Sequence, residues 1–137
     1  MKTKSKTKLK IKTPKSFVID RKRWLRVKQD ENTEASVLFS SDSKKMCCLG
    51  FYSRACGVSI NTLRGKATPE DIYENVLHEP TKKNYEKKIA ILLDDSSDSF
   101  FSNSLMSAND NYDTSDSEKE ASIKKIFAEK KIKVTFK

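Results

Sequence analysis

A chain of 137 residues with 28 Lys+Arg against 19 Asp+Glu, three Cys and one His suits a single domain. That length excludes a TIM barrel and a dinucleotide-binding enzyme with a separate substrate domain. No window holds 18 consecutive apolar residues and no apolar h-region follows the basic start, so the sequence predicts neither a membrane span nor a secretory signal.

In chain order, residues 1–15 (MKTKSKTKLKIKTPK) are low-complexity Lys/Thr and predict a basic flexible arm preceding one domain over 16–137. Residues 16–27 (SFVIDRKRWLRV) are rich in β-branched and aromatic side chains and predict a strand. A polar turn at 28–35 leads to SVLFS (36–40), a second strand or the lead into a helix, and Asp42-Ser43-Lys44 marks another turn. Residues 46–58 (MCCLGFYSRACGV) form the most apolar stretch, with apolar or small residues on every face. This predicts a central buried helix over 45–56, stopped by Gly57. Ser59 caps a short turn that Gly65 ends.

Thr68-Pro69-Glu70-Asp71 opens a further helix, closed at Pro80, with Ile72, Val76 and Leu77 on one face. Residues 84–93 suit either helix or strand, and 98–108 predict a helix. Ser115 and Glu118 form a capping box for a helix from 116 to about 130 that packs through Ile123, Ile126 and Phe127. Ile132, Val134 and Phe136 alternate as a half-buried strand. The expected fold is α+β: a few-stranded, mostly antiparallel sheet packed by the central helix and a C-terminal helix.

Charge is strongly segregated. Residues 1–28 hold twelve Lys/Arg and one acid, residues 29–93 balance, residues 94–120 hold eight acids and one Lys, and residues 121–137 hold six Lys and one Glu. A basic arm draws polyanions over about 8 Å at physiological salt, whether nucleic acid, nucleotide or an acidic protein face. The plainer reading is a solvated lysine tail that aids solubility.

Four constellations bear on chemistry. Arg21, Lys22, Arg23, Trp24 and Arg26, joined by Arg54 from the central helix, suit an anionic ligand: Trp24 beside Arg26 offers a stacking face, and the guanidinium groups offer phosphate contacts. On a strand, Asp20, Lys22, Trp24 and Arg26 share one face, and Asp20 is a candidate partner for Arg54. Second, Ser53, Gly57, Val58, Ser59 and Leu63 resemble a helix-turn-helix, which would present Asn61, Thr62 and Arg64 to base edges; Gly65 and Pro69 leave its second helix under two turns. Third, Cys47, Cys48, Cys56 and His78 lack the C-x(2–4)-C spacing of a zinc knuckle, so core packing is the expectation and no metal is assigned. Fourth, Asn109, Asn111, Asp113, Ser115, Ser117 and Glu120 fall at calcium-loop positions, but Thr114 stands where such loops need Gly. With one His and no nucleophile or phosphate-loop motif, the sequence predicts a non-enzymatic protein without a cofactor.

The stretches FVIDRKRW, KMCCLGFYSRACG and AND…SEKEASIKKIFAEKKIKVTF resemble a group of small uncharacterised proteins of bacteriophage and mobile-element origin. The resemblance covers 16–65 and 105–136. This chain departs from it in its long Lys-rich arm and in Lys131, where a turn Gly is expected. The resemblance carries no catalytic residues. It implies a phage or prophage accessory protein in the host cytoplasm that acts by binding, as in host-defence evasion by sequestering a nucleotide or blocking a defence protein. The rival expectation is a DNA-binding regulator.

Overall fold

A computed structural model describes residues 13–31, 35–67 and 100–137. Within them run β1 (Ser16–Ile19), a 3-10 turn (Arg21–Arg23), α1 (Cys48–Cys56), α2 (Ile60–Leu63), α3 (Phe100–Asp110), α4 (Asp116–Ala128) and β2 (Lys133–Phe136). The helix expected from Thr68, the segment 84–93, His78 and the arm residues Leu9 and Ile11 lie outside the described residues. No described helix is long and apolar enough to cross a membrane.

The two strands alternate exposed and buried residues, as their sequences require, and face one core. They pair parallel, not antiparallel, with Ser16 opposite Lys133 and Ile19 opposite Phe136. Period-two alternation is blind to strand direction; direction follows from the connection, and the long chain between them permits a parallel crossover. The expected strand over 16–27 stops at Ile19. Asp20 takes the N-cap of the 3-10 turn, its carboxylate accepting from Lys22 N at 3.0 Å. The face shared by Asp20, Lys22, Trp24 and Arg26 therefore does not form. SVLFS makes no strand either: Phe39 forms only an isolated bridge with Arg64.

The core gathers Phe17 and Ile19 from β1, Val134 and Phe136 from β2, Leu49 and Tyr52 from α1, and Ile123 and Phe127 from α4. Phe17 meets Phe127 edge-on at 5.0 Å and lies 5.8 Å from Tyr52. Such pairs contribute about 0.5–1.5 kcal/mol each beyond burial.

Helix α1 begins at Cys48 rather than at 45. Its N-cap, Cys47, has no capping oxygen, and Asn109 of α3 supplies one, its Oδ1 accepting from Cys48 N at 3.1 Å. The helix lies directly on neighbouring backbone: a Cβ at Gly50 would land on the Leu38 carbonyl oxygen and 2.9 Å from Met46 Cβ. At the far end Gly57 adopts φ 108°, with Gly57 N bonded to Arg54 O and Val58 N to Ser53 O. This is a Schellman closure, with glycine in the left-handed position. Helix α4 closes the same way, Lys131 N to Ala128 O and Ile132 N to Phe127 O, but here Lys131 holds the left-handed position at φ 61°. A non-glycine residue there costs about 1–2 kcal/mol. At its start α4 has the full Ser115–Glu118 capping box.

Candidate anion-binding face

The structure divides the basic cluster into used and unused charges. Arg21 forks onto Glu120 (Nε to Oε2 2.8 Å, Nη2 to Oε1 2.9 Å), and Arg26 forks onto Asp116 (Nε to Oδ1 3.0 Å, Nη2 to Oδ2 2.7 Å). Asp116 and Glu120 are one turn apart on α4, so the two arginines fasten the 20–26 segment to that helix. The Arg26 hydrogen bonds hold the Asp116 carboxyl below the usual carboxylate range. Arg26 Nη1 also donates to Trp24 O at 2.8 Å, and its guanidinium lies 4.4 Å from the Trp24 ring centroid.

Trp24 is 1% exposed. Its Nε1 donates to Asn109 Oδ1 at 2.8 Å, and its ring sits 5.0 Å from that of Phe136. The stacking face expected for a base or nucleotide is thus covered by Arg26 and by core. Arg54 donates to Val58 O at 2.8 Å, completing the end of its own helix, while Asp20 is spent on Lys22 N; the expected Asp20–Arg54 pair is not formed.

Lys22 and Arg23 remain exposed, and among the described residues neither meets a carboxylate. The parallel pair brings Lys137 to this turn and sets Lys133 at the far end of the ladder. Lys133 N bonds Lys15 O at one end of the ladder, and at the other Arg21 N bonds Lys137 O at 2.8 Å. Lys15 and the Arg21–Arg23 turn from one part of the sequence and Lys133 and Lys137 from another therefore flank one strand pair. Sequence reading found the N-terminal half of this face and missed Lys133 and Lys137, because only the strand pairing brings them together.

The rival DNA-reading residues occupy a single helical turn. Thr62 Oγ1 is 2.9 Å from Ser59 Oγ, and Arg64 Nη2 donates to Asn61 Oδ1 at 3.2 Å. One turn, α2, is too short to lie along a groove.

The cysteines are all free and buried. Burial pushes the Cys47 and Cys56 thiols up to about 12 and Cys48 well above its ordinary value. Thiols so placed are poor nucleophiles and poor ligands. No group of three or more His, Cys, Asp or Glu among the described residues is arranged to hold a metal. The segment resembling a calcium loop is occupied from within: Lys119, 1% exposed, sends its Nζ to Asn111 O (2.6 Å), Thr114 O (2.7 Å) and Thr114 Oγ1 (3.0 Å). An ammonium on α4 thus takes the place a bound cation would have. Burial pulls its pKa below the usual lysine range.

The 109 position is a junction and no ligand. Asn109 is fully buried, accepts from Trp24 Nε1 and Cys48 N, and donates through Nδ2 to Leu25 O at 3.0 Å and Asp110 Oδ1 at 2.8 Å. Asp110 in turn accepts from Ser36 N and Ser36 Oγ.

No protein-family model, no curated protein and no solved structure matches the chain, so the meaning of this face rests on its own residues.

Proposed function

We propose that the protein is a non-enzymatic binding protein that meets a polyanion of nucleic-acid type along the Arg21–Arg23 turn and the neighbouring basic segments. The observation that carries this is the split within the cluster: Glu120 and Asp116 neutralise Arg21 and Arg26, while Lys22 and Arg23 stand exposed without an acid partner among the described residues. Phosphate contacts made by such side chains release counterions and give affinity with little sequence preference. A backbone reader is favoured over a nucleotide pocket because Trp24, the side chain that would stack a base, is covered. A bacteriophage or prophage accessory role in the host cytoplasm, such as blocking a defence component, follows from the sequence resemblance alone and is part of the same proposal.

The test is duplex binding by fluorescence anisotropy across a salt series, comparing the parent with a Lys22→Ala/Arg23→Ala double variant. Each lost phosphate contact lowers the slope of log K against log salt by about 1, so the double variant loses about 2. Equal slopes and affinities for the two proteins defeat the assignment.

A further inference from the structure

The strand pair leaves one of its two outer edges open. Lys133 N donates to Lys15 O at 3.0 Å, Lys137 N to Ile19 O at 2.9 Å and Arg21 N to Lys137 O at 2.8 Å. Odd-numbered residues of both strands therefore aim their main-chain groups across the ladder, and even-numbered residues aim theirs outward. On β2 the outward residues are Val134 and Phe136, 5% and 7% exposed, so that edge is covered. On β1 they are Ser16 and Val18. Both are exposed, Val18 at 47%, and among the described residues neither has a partner for its outward N–H or C=O. Parallel strands are ordinarily covered on both faces, and two strands alone make a marginal sheet. This pair also turns Ser16, Val18, Lys133 and Thr135 to solvent.

We propose that the open edge of β1 takes up an extended, acidic segment of a partner protein as a third strand. The main chain sets the class of the occupant. N–H and C=O alternate along the edge at strand spacing, so the occupant must donate as well as accept. A peptide strand does both, whereas a phosphate group only accepts. Charge then sets the sign of the segment. Exposed Lys15 lies at one end of the edge and exposed Lys22 and Arg23 at the other, and the Asp20 carboxylate between them is bonded to Lys22 N. A second copy joined antiparallel about Val18 would set each Lys15 beside the other copy's Lys22, which disfavours self-pairing. The proposal does not rest on the polyanion reading, because it uses main-chain groups that a duplex cannot satisfy.

The probe is a labelled heptapeptide of alternating Glu and Val, compared by anisotropy with its fully N-methylated form, which keeps the charge but cannot build a ladder. The parent binds the unmodified peptide saturably below about 1 mM and the methylated one about tenfold more weakly. In amide hydrogen exchange read by NMR, Ser16 and Val18 exchange freely in the protein alone and slow about tenfold with the peptide bound. Val18→Pro removes an outward N–H that an edge strand can spare, and it weakens the peptide about tenfold while leaving duplex binding unchanged. Val18→Glu keeps the main chain intact, sets a carboxylate at mid-edge and weakens the acidic peptide similarly. Equal affinity for the two peptides, no binding of the unmodified one, or a folded Val18 variant that binds it as the parent does overturns the proposal. So does protection of Ser16 and Val18 in the protein alone; where light scattering then shows a dimer, the edge belongs to a second copy. Peptide-induced protection of these amides in a protein that binds no duplex supports the proposal and removes only the polyanion reading.

Discussion

Replacing Asn109 by Ala tests whether one buried amide holds three parts of the chain together. The parent side chain accepts from Trp24 Nε1 and from Cys48 N and donates to Leu25 O. Alanine orphans two donors and one acceptor in a fully buried place. Each orphaned group costs about 1–3 kcal/mol, and a water entering the vacated volume recovers part of that. We expect a net loss of about 3–4 kcal/mol, a large fraction of the 5–15 kcal/mol that typically separates folded from unfolded states. Urea unfolding followed through Trp24, the only tryptophan, and independently by far-UV circular dichroism should show the midpoint fall by about 2 M. Asn109→Asp keeps the acceptor, loses the donor and sets a buried carboxyl beside Asp110. Its folded pKa is raised, so the variant is most stable at acid pH and weakens as pH climbs past the unfolded carboxyl value of about 3.9. An Asn109→Ala stability within about 0.5 kcal/mol of the parent refutes the reasoning, because it means water replaces the amide without cost.

Three further outcomes follow from packing and burial. Gly50→Ala gains about 1 kcal/mol in helix propensity but drives a methyl onto the Leu38 carbonyl, where backbone cannot step aside. A net loss of about 2 kcal/mol or more is expected in thermal melts, and a neutral result means α1 does not lie against Leu38. The three thiols have folded pKa values raised by burial, so they stabilise the fold below the unfolded thiol value of about 8.5 and lose that contribution as pH rises. The loss is about 1.4 kcal/mol per pH unit for each thiol, and a urea midpoint flat from pH 8.5 to 10.5 contradicts their burial. At pH 8 an aromatic disulfide reagent should find no reactive thiol in the native protein and three in urea.

Local chemistry was readable along the chain, and long-range partnership was not. The Ser115–Glu118 box, the Gly57 stop, the Ser59 cap and the alternating burial of Ile132, Val134 and Phe136 each depend on a few neighbouring residues, and all are present. The central cysteine-rich helix is buried as its composition requires, except at half-buried Phe51 and exposed Arg54 and Ala55. What failed depends on contacts between distant positions. Asn109 caps α1 from another helix, so the residues before Cys48 carry no capping signal. Trp24 reads as a surface stacker beside Arg26, yet the same arginine closes over its ring. Residues 109–120 carry oxygen donors at calcium-loop spacing, but Arg21, Arg26 and Lys119 use Glu120, Asp116 and the loop carbonyls within the fold.

Pairing β1 with β2 has a kinetic corollary. The partners are more than a hundred residues apart, and closing a loop of that length costs about 4 kcal/mol beyond the constant part of the closure entropy. No local hairpin can lower that barrier. The ladder should therefore zip late, after α1, α3 and α4 have assembled, and folding should be slow for a domain of this size. Until it zips, Phe17, Ile19, Val134 and Phe136 stay uncovered, and the nascent chain passes through an interval of exposure to aggregation and proteases.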